Sequence, residues 1–385
     1  MLFPTSQYWN KAAKIMTKVT MTNKLKFALS ALIFIVLNIT TSGYALADGN
    51  WSERIKLNGD FRYRYEFIGK EGKEDRHRNR IRLRAGIHAK VNETVDVSTV
   101  FATGGEDPVS TNQSIDSQST TKDIRLDQGY FTWKAIDGLT VKGGKFKNPF
   151  YKPVKSELLW DGDFRPEGLA LQYQKNSLFF NGGFFYIEER GGSDDSFLLA
   201  GQFGYGTTVN GAKMNIGASY FGYSNIKGLS LDDFDYLEKE ADSFGNSLDA
   251  NGKFINEYNE LELFGDVTFK ANSMPIALFF DYVLNTDAEA NDTGYLVGFK
   301  VNKVKEIGSW DFRYTYREIE SDAVFGVFTD SDFIGGGTDG KGHELNLGYQ
   351  IGKGWKLSAS YFMNEVGLDN GQDFDRVQID LKFKF

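Results

Sequence analysis

The chain has 385 residues, 41% hydrophobic and 25% charged, with 42 Gly, 6 Pro and no Cys. Residues 1–47 carry five Lys and no acidic residue. The remainder therefore holds 39 basic against 52 acidic residues, a formal net charge of −13. That acidity excludes a nucleic-acid-binding face, which needs clustered Lys and Arg. Without Cys there are no disulfides to form or mispair in an oxidising compartment. Mean hydropathy is −0.39, yet aromatics reach 15% and Gly about 11%, against a usual Gly content of roughly 7%. An aromatic-rich chain of low hydropathy fits a barrel with interfacial girdles and a polar lumen.

At the N-terminus, Lys24 and Lys26 precede an apolar run from Phe27 to Leu37, which is too short to span a bilayer as a helix. Ala45-Leu46-Ala47 supplies a small-x-small cleavage site. Residues 1–47 therefore read as a signal peptide, with Met21 an alternative start, and the mature chain begins at Asp48. No later segment approaches the roughly 18 apolar residues of a transmembrane helix.

From Arg54 onward, segments of about ten residues alternate apolar and polar side chains and are punctuated by turn residues. In the first, Ile55, Leu57, Phe61, Tyr63, Tyr65 and Phe67 share one face. Arg54, Lys56, Asp60, Arg62, Arg64 and Glu66 share the other. The second sets Ile81, Leu83, Ile87 and Val91 against Arg78, Arg80, Arg82, Arg84, His88 and Lys90. Further strands are expected near 94–103, 124–134, 139–146, 167–175, 178–189, 197–209, 213–223, 258–270, 276–284, 294–301, 309–320, 342–351, 355–364 and 375–385. With the first two they make about sixteen, a hairpin more or less. A phase change near Gly129 points to a bulge. Short turns alternate with long loops (104–122, 147–166, 224–257, 321–341), so the long ones belong outside the cell and both termini face the periplasm. A midplane Arg or Lys facing lipid costs roughly 2–4 kcal/mol, so the charged face must line water. Trp133, Trp310 and Trp355 beside short turns suit a periplasmic girdle.

Residues 48–385 are thus expected to form an all-β, antiparallel transmembrane barrel. Its last strand alternates Val377, Ile379, Leu381, Phe383 and Phe385 with Gln378, Asp380, Lys382 and Lys384, and ends on Phe. This resembles the C-terminal signature that the barrel assembly machinery reads through a terminal aromatic, here Phe385. Gly143-Gly144-Lys145-Phe146 followed by Pro149-Phe150 is similar to the Gly-x-Phe-x-x-Pro-Phe segment of phosphate-selective porins. Over roughly 50–385 the chain resembles Gram-negative porins, nearest the family known as "Putative porin". The resemblance implies a homotrimer and a water-filled channel for passive diffusion of small hydrophilic solutes and ions, set among outer-membrane lipid and lipopolysaccharide.

The ladder of Arg62, Arg64, Arg78, Arg80, Arg82 and Arg84 places like charges across adjacent strands, which destabilises a sheet unless something offsets them. In porins of this kind the loop after the fifth strand folds into the barrel. Here that loop is Lys147 to Pro166, with Glu157, Asp161 and Asp163 beside Lys147, Lys152, Lys155 and Arg165, and with Lys145 at its root. Acidic loop groups opposite a basic wall would set a constriction with a slight positive balance and a weak anion preference. The alternative places Arg76 to Arg84 at the rim. The acidic loop 224–257 reads as a solvated surface, with divalent-ion bridging to lipopolysaccharide as the lesser option. Of the three His, His88 and His343 lie on strands and His77 within the basic cluster. No nucleophile motif or P-loop accompanies them, so neither catalysis, a cofactor nor a metal is expected. A substrate-specific channel, for phosphate or other anions, and a non-transport adhesin or scaffold barrel stand as alternatives. Scattered Phe179, Phe185, Phe221, Phe264 and Phe279 offer no clear aromatic track for sugars.

Overall fold

A computed structural model describes residues 51–385; the expected signal peptide lies outside the described residues. In chain order the strands are β1 (Ile55–Lys70), β2 (Arg76–Lys90), β3 (Val95–Thr103), β4 (Gln113–Ser114), β5 (Ile124–Ile136), β6 (Leu139–Lys145), β7 (Glu167–Lys175), β8 (Leu178–Glu188) and β9 (Ser196–Val209). There follow β10 (Ala212–Ser224), β11 (Asn259–Ala271), β12 (Met274–Asn285), β13 (Thr293–Asn302), β14 (Trp310–Ile319), β15 (Gly340–Gly352), β16 (Trp355–Val366) and β17 (Gln372–Lys384).

Apart from the two-residue β4, these sixteen strands pair antiparallel in sequence order. β1 then pairs with β17, from Asp60 opposite Lys384 to Lys70 opposite Phe374, and closes the cylinder. Closure satisfies every strand edge, which hydrocarbon requires. All sixteen expected strands are present. The bulge sits at Asp127, where the ladder passes from Val100–Gln128 to Phe101–Leu126, two residues before the expected Gly129.

The side-chain faces identify the solvent on each side. Leu57 is 75% exposed, whereas Glu66 is fully buried. Apolar Tyr63, Phe101, Phe180, Leu263 and Ile379 also point outward, while Arg62, Arg64, Gln378 and Asp380 point inward and are buried. A water-soluble sandwich would show the reverse. Near the short-turn end, exposed Trp310 and Trp355 lie on the outer surface, Trp355 stacked on Phe383 at 5.7 Å. Turns of two or three residues join most strands at that end, whereas 104–123, 146–166, 225–258 and 320–339 are the long connections at the other.

Those long loops carry an apolar core inside the barrel. Phe150, Leu158, Trp160 and Phe164 of the 146–166 loop pack with Phe185, Phe221 and Phe279 of the inner wall. Segment 320–339, expected as a polar outer loop, instead buries Ala323, Val324, Phe325, Val327, Phe328, Phe333 and Ile334 in the same cluster. Loop 225–258 also differs from a wholly solvated surface, because Ile226, Phe234, Leu237, Phe254 and Tyr258 cover the cluster. Its acids work locally. Asp233 accepts from the backbone and hydroxyl of Ser230, and Asp249 from the amides of Asn251 and Lys253. Such side-chain caps satisfy turn amides that would otherwise lack partners.

Candidate functional site

The Gly144 motif explains how the 146–166 loop leaves the wall. Gly144 and Gly168 face each other across β6 and β7 with φ of 121° and 152°, and a Cβ at either would overlap a neighbouring carbonyl. Only glycine holds this backbone without strain. Phe146 is then fully buried, edge-on to Tyr130 and Phe185 at 6.0 and 6.1 Å. Phe150 follows, 5.1 Å from Phe221 and 5.4 Å from Trp160. The Tyr151 ring lies 5.4 Å from Phe179 and 5.6 Å from Phe264, and its hydroxyl donates to Asp266. The five scattered Phe thus face inward, and the aromatic residues of the loop and its neighbours cover them.

Beyond this bed the loop turns its acids toward the basic wall. Asp163 lies 2.7 Å from Arg84, 3.7 Å from Arg82 and 3.8 Å from Arg165. Burial alone would raise its pKa, but these three guanidiniums hold the carboxyl well below the usual range. Asp161 accepts from the Ser331 amide and hydroxyl at 3.0 and 3.1 Å, and its own amide donates to the Phe328 carbonyl at 2.9 Å. That ties loop 146–166 to loop 320–339. Burial and the nearby carboxylates of Glu157, Asp163 and Asp330 lift Asp161 above the usual range. Glu157 is half-buried; desolvation, then Asp330, pushes it up to about 7 despite Lys152 and Arg313. Lys152 donates to the Trp160 carbonyl at 2.7 Å, and Lys147 is exposed with Arg84 and Arg165 near it.

The other arginines pair mostly among strands. Arg64 meets Asp380 in a bidentate pair at 2.7 and 3.0 Å and Asp332 at 3.4 Å. Arg62 contacts Asp380 at 3.8 Å and donates to Asn112, Arg78 pairs with Glu66, and Arg82 with Asp60 at 2.8 Å. Arg80 makes no salt bridge among the described residues, and its Nε is buried without a hydrogen-bond partner.

Two placements differ from the sequence reading. Lys145 pairs with Glu167 at 2.5 Å, on the outward register of Phe131 and Leu169 rather than beside the loop acids. His77 sits on the outer face, its Nδ1 2.8 Å from the Tyr65 hydroxyl, opposite the arginines. Sequence reasoning missed a second acidic contributor. Asp330 and Asp332 of loop 320–339 reach Arg317 at 2.9 Å and Arg376 at 2.8 Å. It also missed residues 104–112, which dip inward before β4 rejoins β2; Thr111 there accepts from Arg84 at 2.8 Å. Between the loops and the wall of β1, β2 and β13–β17 lies a cavity of about 340 Å³, lined by one more basic than acidic side chain.

A closed sixteen-strand barrel with an apolar exterior, a charged interior and inward loops defines an outer-membrane channel. The family model described as "Putative porin" matches residues 67–283 and 261–385, and the chain belongs to that family of bacterial outer-membrane proteins. Among solved structures it is similar to the high-pH form of Pseudomonas putida OprB, with 12% identity and a TM-score of 0.59. That alignment covers 87% of this chain and 95% of that one. The low-pH form of the same protein aligns at 11% identity and a TM-score of 0.53, covering 90% and 100%. A loop L8 deletion mutant of Vibrio cholerae OmpT gives 11%, 0.50, 86% and 100%. At such identities the likeness is one of fold. No curated protein matches the sequence.

Proposed function

We propose that solutes cross this porin through the lane between the basic wall and the acids of loops 146–166 and 320–339, with a weak preference for anions. The carrying observation is that Asp163 and Asp332 of those loops pair with Arg82, Arg84, Arg64 and Arg376 of the wall, beside a cavity that both acids line together with Arg62, Arg64 and Arg82. Charges at the narrowest point govern permeation, because exposed charges are screened within about 8 Å at physiological ionic strength. The role takes in Lys147, Lys152, Lys155, Glu157 and Asp161 of the sequence-based set and adds Asp332 of loop 320–339. It assigns no chemistry to the barrel, which we read as a non-catalytic homotrimer on the strength of its family resemblance.

The test is the reversal potential in a tenfold KCl gradient. Wild type should favour chloride near pH 6 and show that preference less strongly toward pH 8, because Glu157, with a pKa of about 7, gains its negative charge over that interval. Glu157→Gln should keep the acid-side preference at both pH values. Arg80→Ala/Arg82→Ala should shift wild type toward cations. Cation selectivity unmoved by pH or by these substitutions would refute the lane.

Phe385 we take as the assembly signal. Its amide and carbonyl pair with Gly59 at 3.1 and 2.9 Å and its ring lies over that glycine, yet the residue remains 69% exposed, so packing gives it little to do. Deleting it should slow the appearance of heat-modifiable barrel in outer-membrane fractions. Unchanged kinetics would remove that role.

A further inference from the structure

Lys356 of β16, Lys382 of β17, Arg62 of β1 and Arg82 of β2 stand directly opposite one another, strand to strand, on a single row of the inner wall. Neighbouring strands are about 4.8 Å apart, so the row covers roughly 14 Å. Because barrel strands tilt by about 35–45°, it climbs the lumen obliquely rather than ringing it.

Like charges directly opposite destabilise a sheet, so the distribution of compensating acids matters. Arg82 has Asp60 at 2.8 Å and Asp163 at 3.7 Å. Lys382 and Arg62 share Asp380 at 2.9 and 3.8 Å, but that carboxylate already holds Arg64 in a bidentate pair. Lys356 has no carboxylate within 4.0 Å among the described residues. The acid nearest to it in effect, Asp311, is held by Lys300 at 2.7 Å. The row therefore runs from a neutralised end under the loop to an uncompensated end at Lys356. Lys155 faces the same cavity from the 146–166 loop, exposed and without an ion pair, at a left-handed φ of 63° that is uncommon for a residue with a Cβ. Arg313, in the same lining, lies over the Phe279 ring at 5.4 Å and pairs with Glu344 at 3.6 Å, leaving Nε and Nη2 without hydrogen-bond partners.

We propose that Lys356, Lys155 and Lys382, with Arg313, form a subsite for a compact doubly charged oxyanion of phosphate or sulfate type. Ammonium groups act as point charges that gather around a tetrahedral anion without the planar match a guanidinium demands. The one aromatic side chain in the lining, Phe362, is itself buried, so a stacked sugar ring finds no platform there. The anion would replace the missing carboxylate at the end of the row and then pass along it, cation to cation.

This rests on the porin reading, and single-channel recording separates the two. With the full mature protein in a lipid bilayer and KCl on both sides, potassium phosphate or potassium sulfate at pH 8 should reduce chloride current saturably. Lys356→Gln and Lys155→Gln should each weaken that block about tenfold, while Lys356→Arg retains most of it and all variants stay heat-modifiable. Block by both dianions supports the class, and block by phosphate alone narrows it to phosphate. Open channels that neither dianion blocks, or block unchanged in Lys356→Gln, would overturn the subsite and leave the porin reading standing. Absence of any channel current in wild type would overturn both.

Discussion

Phe325→Ala should leave the barrel wall assembled while releasing the loops within it. Phe325 is 2% exposed, with ring partners Tyr258 at 5.4 Å, Tyr223 at 5.5 Å, Phe328 at 5.6 Å, Phe254 at 5.9 Å and Phe234 at 6.1 Å. These neighbours come from β10, loop 225–258 and its own loop, so one side chain joins three segments. Its amide also donates to Glu260 at 3.0 Å. Truncating a buried Phe costs about 3–5 kcal/mol, and here the loss falls on loop docking rather than on strand pairing. Hydrogen exchange should accelerate in 225–258 and 320–339 and not in β1 or β17. Open-channel noise should rise as the loops lose this packing. Uniform exchange across wall and loops would show that the apolar cluster is part of the wall's stability instead.

What the sequence disclosed and what it concealed follow from periodicity. Strands were legible because a barrel wall meets lipid on one face and water on the other, so Leu57 and Arg62 fall on opposite phases of one pattern. The 147–166 loop was legible from its order in the chain and from Gly144 and Phe146, whose spacing serves a backbone kink and a buried anchor. Loop 320–339 was not. Its apolar residues run consecutively, Ala323-Val324-Phe325 and Val327-Phe328, on irregular backbone that has no faces and hence no period. Lys145 was misplaced because nearness to a loop in sequence outweighed its phase, and His77 because its flanking arginines occupy the other face. The cation row of Lys356, Lys382, Arg62 and Arg82 depends on register between strands distant in sequence, and each strand alone shows only one of its charges.

Asp380→Asn should both destabilise the barrel and sharpen its ion preference. Asp380 is 2% exposed and compensates Arg64 through two hydrogen bonds, Lys382 at 2.9 Å and Arg62 at 3.8 Å. Removing one partner of a buried charge pair costs about 3–5 kcal/mol, because the cations left behind keep their desolvation penalty without the attraction that offset it. Arg64 retains Asp332 at 3.4 Å, so the loss concentrates on Lys382 and Arg62, the middle of the cation row. The lumen meanwhile gains one net positive charge at its narrow part. Heat modification should therefore occur at lower temperature, and the reversal potential should move toward chloride in the same variant. Adding Lys382→Gln should recover part of the stability by removing one orphaned cation, and should return selectivity toward wild type. A variant that loses stability with its reversal potential unchanged would place Asp380 outside the conducting path, holding β17 to β1 and nothing more.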